Sequence, residues 1–247
     1  MTELAYLADP AAAYVRSFRA RVTALPPGGV VLDRTYFYAT GGGQPADRGT
    51  LGAPGAGPAE VVDVARSGAA IVHRLRGPPE TARSIRIGDE VDGTIDWERR
   101  HRHMRLHTGQ HLLSARAFAR YGRRTRRAQM EGRTATLDLD GEIPEEALGP
   151  LAEDLAEAVR TPRAVAIRFL PRAEWERHPA GRSGLVPLPP QVDPVRVIEI
   201  DGTDACPCGG THLRSTGELG AIVLARERGG GRLVLTLAPD GDATPRP

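Results

Sequence analysis

Lysine and asparagine are absent from the 247 residues, and all 33 basic side chains are arginine. Uniform usage of this kind is the mark of a GC-rich coding sequence. It also excludes lysine chemistry: no Schiff base and no amine base can form, and every fixed positive charge is a permanently protonated guanidinium. Aromatic residues are only 4% of the chain, which argues against recognition of single strands by base stacking. There are two cysteines, Cys206 and Cys208, one residue apart. A disulfide between them would be badly strained, so the pair suits a reducing compartment and a metal ion. No apolar run approaches the roughly 20 residues that cross a bilayer. Met1 to Pro10 has no basic stretch followed by an apolar core, so no secretory signal is read and a cytoplasmic location is expected.

What is present describes a globular protein, 40% hydrophobic and 26% charged, with a net charge of +2. Residues 1–95 are rich in Gly, Pro and short β-like runs: Val30–Leu32, Glu60–Val64, Ala70–Leu75 and Val91–Ile95. Gly/Pro clusters at Gly52-Ala53-Pro54-Gly55 and Gly77-Pro78-Pro79 separate them, which predicts a small β-barrel-like subdomain. The character changes at Asp96, a suitable N-cap for a helix whose apolar positions include Leu106, Leu112, Leu113 and Phe118 and which stops at Tyr121-Gly122. A second helix is expected from Pro144 to Arg160. Strands are expected at Val165–Leu170, Val195–Ile200, Glu218–Ala225 and Leu233–Leu237. Residues 96–238 thus read as an α+β domain, and 239–247 as a disordered tail.

Charge is segregated in this second part. Ten arginines and no acid lie between Arg99 and Arg127, whereas Glu131 to Glu157 holds nine acids and one arginine. Two oppositely charged solvated faces would explain this. So would an anion-binding surface, for which the phosphates of an A-form nucleic acid are the natural partner.

His107 and His111 are four residues apart on the expected helix, so both imidazoles share one face at about 6 Å, a spacing that suits zinc. Thr108 follows the first histidine where a zinc peptidase carries glutamate, which argues against that class. A hundred residues on, Cys208-Gly209-Gly210-Thr211-His212 offers a thiolate and an imidazole that a glycine turn can fold round one ion. His107, His111, Cys208 and His212 together make a set of zinc-type ligands. Cys206 competes for the thiolate role. Cys208 is preferred because the turn through Gly209 and Gly210 brings it towards His212. His73, His101, His103 and His178 are given no metal role, and His101 and His103 are offered instead to the basic surface of the arginine run.

These motifs together resemble the editing domain of alanyl-tRNA synthetase and its free-standing AlaX-type relatives. Asp96-Trp97-Glu98-Arg99-Arg100 leads into Met104-Arg105-Leu106-His107-Thr108-Gly109-Gln110-His111-Leu112-Leu113, and Cys208-Gly209-Gly210-Thr211-His212 is followed by Ser215-Thr216-Gly217-Glu218-Leu219-Gly220. Thr35-Tyr36-Phe37-Tyr38, followed by Gly41-Gly42-Gly43-Gln44-Pro45-Ala46-Asp47-Arg48-Gly49, is similar to the family's glycine-rich motif. The likeness covers about residues 28–238. Three features depart from the pattern: Gly109 where alanine is usual, Ala39-Thr40 ahead of the glycine triplet, and the extra Cys206.

The resemblance implies a medium-length, free-standing, ATP-independent hydrolase that deacylates Ser-tRNA-Ala, and Gly-tRNA-Ala as well, with Zn²⁺ as cofactor. It implies Thr35 and Gln44 as catalytic-pocket residues, with Gly41, Gly42, Gly43, Thr108 and Thr211 around the substrate. Arg99, Arg100, Arg123, Arg124, Arg126 and Arg127 are the expected contacts to the acceptor stem of mischarged tRNA-Ala, and the enzyme is expected to be a monomer. Two other classes remain open on the residues alone: a non-catalytic tRNA-binding module with a structural zinc, and a zinc hydrolase of a small ester or amide.

Overall fold

In the computed structural model, the described residues are 1–52, 57–77, 85–178, 184, 188–227 and 231–238. Most of the Gly/Pro clusters at 52–55 and 77–79, and the whole of the expected tail 239–247, lie outside them. The chain divides into two compact units, Met1–His101 and Arg102–Pro247. The division falls inside a helix, a few residues beyond the change of composition at residue 96.

The first unit is a β-barrel. Two-residue strands β1 (Glu3–Leu4) and β4 (Arg34–Thr35) pair in parallel beside it. The barrel strands are β2 (Ser17–Ala24), β3 (Gly29–Leu32), β5 (Gly49–Gly52), β6 (Ala59–Ser67), β7 (Ala70–Arg76) and β8 (Glu90–Ile95). They close in the order β2-β3-β7-β6-β5-β8, with every pairing antiparallel. The alternation that builds it is plain in β8, where Val91, Gly93 and Ile95 are buried and Glu90, Asp92 and Thr94 are exposed. Val22, Leu32, Phe37, Leu51, Val61 and Ile71 are among the residues that fill the interior. Each contributes about 1.5–3 kcal/mol by leaving water.

Among the described residues of the barrel strands, one buried side chain is polar. His73 on β7 is wholly buried. Its Nδ1 lies 3.2 Å from the Val30 carbonyl, so that nitrogen carries the proton. Nε2 then accepts from the Thr35 hydroxyl at 2.8 Å, and Thr35 Oγ1 accepts the Phe37 N–H at 3.1 Å. Burial pushes the His73 pKa down to about 4, against a weaker upward pull from the Val30 carbonyl. Between that value and the ordinary 6.5 of the unfolded chain, the unfolded state holds a proton that the folded state does not. Stability is therefore lost as pH falls through this window, by about 3 kcal/mol in total. Urea unfolding of the wild type and of His73→Gln between pH 7.5 and pH 4 checks this. The gap between the two proteins should shrink by that amount, and a constant gap would contradict it.

The second unit is built on α1 (Trp97–Tyr121), whose first turn belongs to the first unit. Asp96 caps it through Oδ1, which accepts the Arg99 N–H at 3.0 Å, and Gly122 ends it with φ +66°. From His103 to Ala115 every residue but Arg105 is buried, so the helix is a central rod rather than the one-sided amphipathic helix that the sequence suggests. One four-stranded antiparallel sheet has the order β14 (Ile222–Arg226), β15 (Arg232–Leu237), β10 (Thr134–Leu139), β9 (Thr125–Glu131). A Cβ placed on Gly109 would meet Leu235 Cδ1 at 3.1 Å and Leu219 Cδ2 at 3.4 Å, so the glycine lets α1 lie close to β15. A three-stranded sheet runs β11 (Val165–Leu170), β12 (Val195–Ile200), β13 (Asp204–Pro207). The helices α2 (Leu148–Arg160) and α3 (Arg172–Trp175) complete the unit, α2 being entered through a 3₁₀ turn at Glu145–Ala147.

Candidate metal centre

Helical spacing brings His107 and His111 together, with ring centroids 5.2 Å apart. The chain leaving β13 supplies the other two ligands. Cys208 Sγ lies 3.3 Å from His107 Nε2 and 3.4 Å from His212 Nε2. The donor atoms of His107, His111, Cys208 and His212 all fall within 4.8 Å of one another, so this group could hold a metal ion. Zinc bonds of 2.3 Å to sulfur and 2.0–2.1 Å to nitrogen put tetrahedral ligands roughly 3.3–3.6 Å apart, which matches the measured separations.

The surroundings set each donor. His212 Nδ1 lies 3.2 Å from Thr108 Oγ1, and the same oxygen accepts the Leu213 N–H at 3.1 Å. Thr108 accepts both protons, which leaves His212 Nε2 as the lone pair facing Cys208. The Gly210 N–H donates to Cys208 Sγ at 3.3 Å. Arg196 clamps the Cys208 backbone: its guanidinium donates to the Cys208 carbonyl, and its own carbonyl accepts the Cys208 N–H at 3.1 Å.

Burial alone would raise the Cys208 thiol. The charges of His107 and His212, with hydrogen bonds from His107 and His111, outweigh it and hold the thiol well below its usual range. Burial pushes the Cys206 thiol well above its own range, aided by Asp204 and Cys208. Of the two cysteines, Cys208 is the one poised as a thiolate. Burial, with His107 adding to it, lowers His212. His111 also loses from burial, but Asp204 and Cys208 pull it up to about 10.

The structure gathers Thr108 and Thr211, both wholly buried, in the same unit as the ligands. Thr35, Gln44 and the glycine triplet belong to the first unit. Gly41 and Gln44 close a tight turn, each donating its N–H to the other's carbonyl at 3.2 and 2.9 Å. Gly42 and Gly43 occupy it at φ +56° and +81°, which side chains rarely adopt. Gln44 and Thr35 are buried, and the Thr35 hydroxyl proton is committed to His73.

The arginines expected to face RNA do not share one environment. Arg123, Arg124, Arg126 and Arg127 are exposed, and Arg99 is half-buried with Nε donating to the Ala46 carbonyl at 3.0 Å. Arg100 corrects the expectation: it is wholly buried. Its guanidinium is paired with Asp47 and donates to the Ala13 carbonyl at 2.8 Å, so it braces the glycine-rich segment from within. Part of the segregated charge is also spent internally. Arg120 is bound through two nitrogens to Asp154, at 2.6 and 2.7 Å. His73 and Asp204 carried no signal in the sequence because no spacing singles them out, and Asp47 stood there only as one position of the glycine-rich motif, with no role of its own. Among the described residues, no helix is long and apolar enough to cross a membrane.

Two families match parts of the chain: tRNA synthetases class II (A) over residues 11–99, and the threonyl and alanyl tRNA synthetase second additional domain over residues 195–232. The alanyl-tRNA editing protein AlaX-M of Saccharolobus solfataricus is 34% identical over 94% of this chain and 95% of its own length. The alanine–tRNA ligases of Pyrobaculum neutrophilum and Pyrococcus abyssi are 40% and 36% identical over 86% and 91% of this chain. The chain spans about a quarter of each ligase (24%).

Proposed function

Because the chain belongs to the family of alanyl-tRNA editing proteins, we propose that it is a cytoplasmic, ATP-independent deacylase of mischarged tRNA-Ala, with Ser-tRNA-Ala as its main substrate and Gly-tRNA-Ala as a second. The observation that supports this best is the assembly of His107, His111, Cys208 and His212 into one cluster, partly to fully buried, in a chain similar to an editing protein along nearly its whole length. Zinc, when bound there, would draw the four side chains together and place a positive charge in the site without itself taking up the substrate. The chain's own residues do the rest of the positioning. Thr108 holds His212 in one tautomer, and the Gly210 N–H steadies the Cys208 thiolate. Water is the nucleophile. It adds to the ester carbonyl, the ester C–O bond breaks, and the proton passes to the departing ribose oxygen. An aminoacyl ester is labile, so orientation and charge stabilisation suffice.

Selection between serine and alanine is assigned to Thr35 and Gln44. The Thr35 proton is already donated to His73 and one lone pair accepts the Phe37 N–H, so its oxygen keeps a single lone pair as an acceptor for a seryl hydroxyl. Alanine cannot make that bond. The exposed Arg123, Arg124, Arg126 and Arg127 are assigned to acceptor-stem phosphates. Replacing any one should weaken tRNA binding and reduce the salt slope by about 1.

The deciding experiment is deacylation of Ser-tRNA-Ala, Gly-tRNA-Ala, Ala-tRNA-Ala and Ser-tRNA-Ser by zinc-loaded protein. Rapid loss of serine from tRNA-Ala, with Ala-tRNA-Ala and Ser-tRNA-Ser spared, is expected. No hydrolysis of any of the four would overturn the assignment.

A further inference from the structure

A second set of donors converges on the far nitrogen of His111. Asp204 and Cys206 alternate along β13, opposite Ile200 and Ile198 of β12, so both side chains leave the same face of the sheet. His111, Asp204 and Cys206 each place one donor atom within 4.8 Å of the other two. His111 Nδ1 stands 3.4 Å from Asp204 Oδ2, and the two side chains are only 9% and 5% exposed.

That distance is informative. N–H···O hydrogen bonds usually span 2.7–3.2 Å. Two donors on one tetrahedral zinc stand roughly 3.4 Å apart, the same edge that separates Cys208 Sγ from His212 Nε2 in the first centre. The donor chemistry agrees: an imidazole, a carboxylate and a thiolate are all zinc ligands, and together they balance the charge of a divalent ion.

We propose that His111, Asp204 and Cys206 form a second divalent-cation site, with the His111 ring bridging it to the first. The two centres would differ in kind. Four protein ligands close the shell of the first. Three ligands leave one position of the second open, which is the pattern of zinc sites that meet a substrate or water. Loading the second site would displace the Cys206 thiol proton and the His111 Nδ1 proton, so His111 would bridge as an imidazolate, and over both centres this anion, the two thiolates and the Asp204 carboxylate would balance two divalent ions. The proposal does not depend on the substrate assigned above, because it is read by metal content alone.

The test is titration of the full chain with Zn²⁺ or Co²⁺ alone, followed by gel filtration and elemental analysis. Two ions per chain are expected for the wild type, and one for Cys206→Ser. Cys208→Ala should also hold one, in the second site. With cobalt, the sulfur-to-metal charge-transfer band should fall by about half in Cys206→Ser. One ion per chain in the wild type would overturn the proposal and leave Asp204 as the acceptor that orients His111. Two ions in both the wild type and Cys206→Ser would overturn it as well, because the second ion would then sit elsewhere.

Discussion

Cys208→Ala should bind metal at the first centre at least about 100-fold more weakly than the wild type, and should hydrolyse Ser-tRNA-Ala at under about 1% of its rate. The reason is the composition of the cluster. Cys208 is its thiolate, and the other three ligands are imidazoles. Without the sulfur, the three rings lose the negative partner that draws a cation to a largely buried place. The Gly210 N–H loses its acceptor too. Competition against a chromophoric chelator measures the affinity, and single-turnover deacylation measures the rate. Circular dichroism establishes that the variant is folded. Wild-type affinity at the four-ligand centre in Cys208→Ala would move the thiolate role to Cys206.

The second large effect is on stability. Arg100→Met should cost about 3–5 kcal/mol, because it strands the Asp47 carboxylate in a site with no access to water. For a chain of this length, the corresponding fall in Tm is roughly 10 °C. Asp47 also accepts the Tyr38 N–H at 2.6 Å, so the damage reaches the glycine-rich segment. The double variant Arg100→Met, Asp47→Leu removes both charges. It should recover part of the loss, since a buried ion pair replaced by apolar groups is often close to neutral. Calorimetry on the single and double variants decides the matter. Equal losses in both would mean that the pair contributes through the hydrogen bonds of Arg100 to backbone carbonyls rather than through its charge.

The elements that were legible in the sequence are those whose signals are local. Val165–Leu170 and Val195–Ile200 occupy the predicted ranges, and Asp96 and Gly122 bound α1 as their chemistry requires. The gathering of the four candidate ligands was legible for a related reason, since the spacing of His107 to His111 and of Cys208 to His212 encodes closeness directly. Strands β9 and β10 were not expected. Thr125-Arg126-Arg127 reads as charge, but Thr134 to Leu139 alternates polar and apolar residues with the period of two that the burial of Ala135, Leu137 and Leu139 follows, a local signal that was passed over. The part of Glu218–Ala225 before Ile222 is a 3₁₀ turn at Thr216–Leu219, ended by Gly220 at φ +65°. Arg100 was misread because a guanidinium in a run of ten arginines looks solvated. Only the fold shows that it meets a carboxylate 53 positions away. Asp204 is one of 31 acidic residues, and its closeness to His111 depends on the packing of β13.

The position of β9 has a further consequence, for colloidal behaviour. It is an outer strand of its sheet, and apart from one bridge at Thr125 its described pairing is with β10 alone. An outer strand with open N–H and C=O groups is a template on which a second molecule can add a strand. Arg126, Arg127, Gln129 and Glu131 are all exposed along it. Stacking another copy there would strip these charges of water. In most proteins lysine guards such an edge; here, in a chain without lysine, arginine takes that part and protects the protein against aggregation.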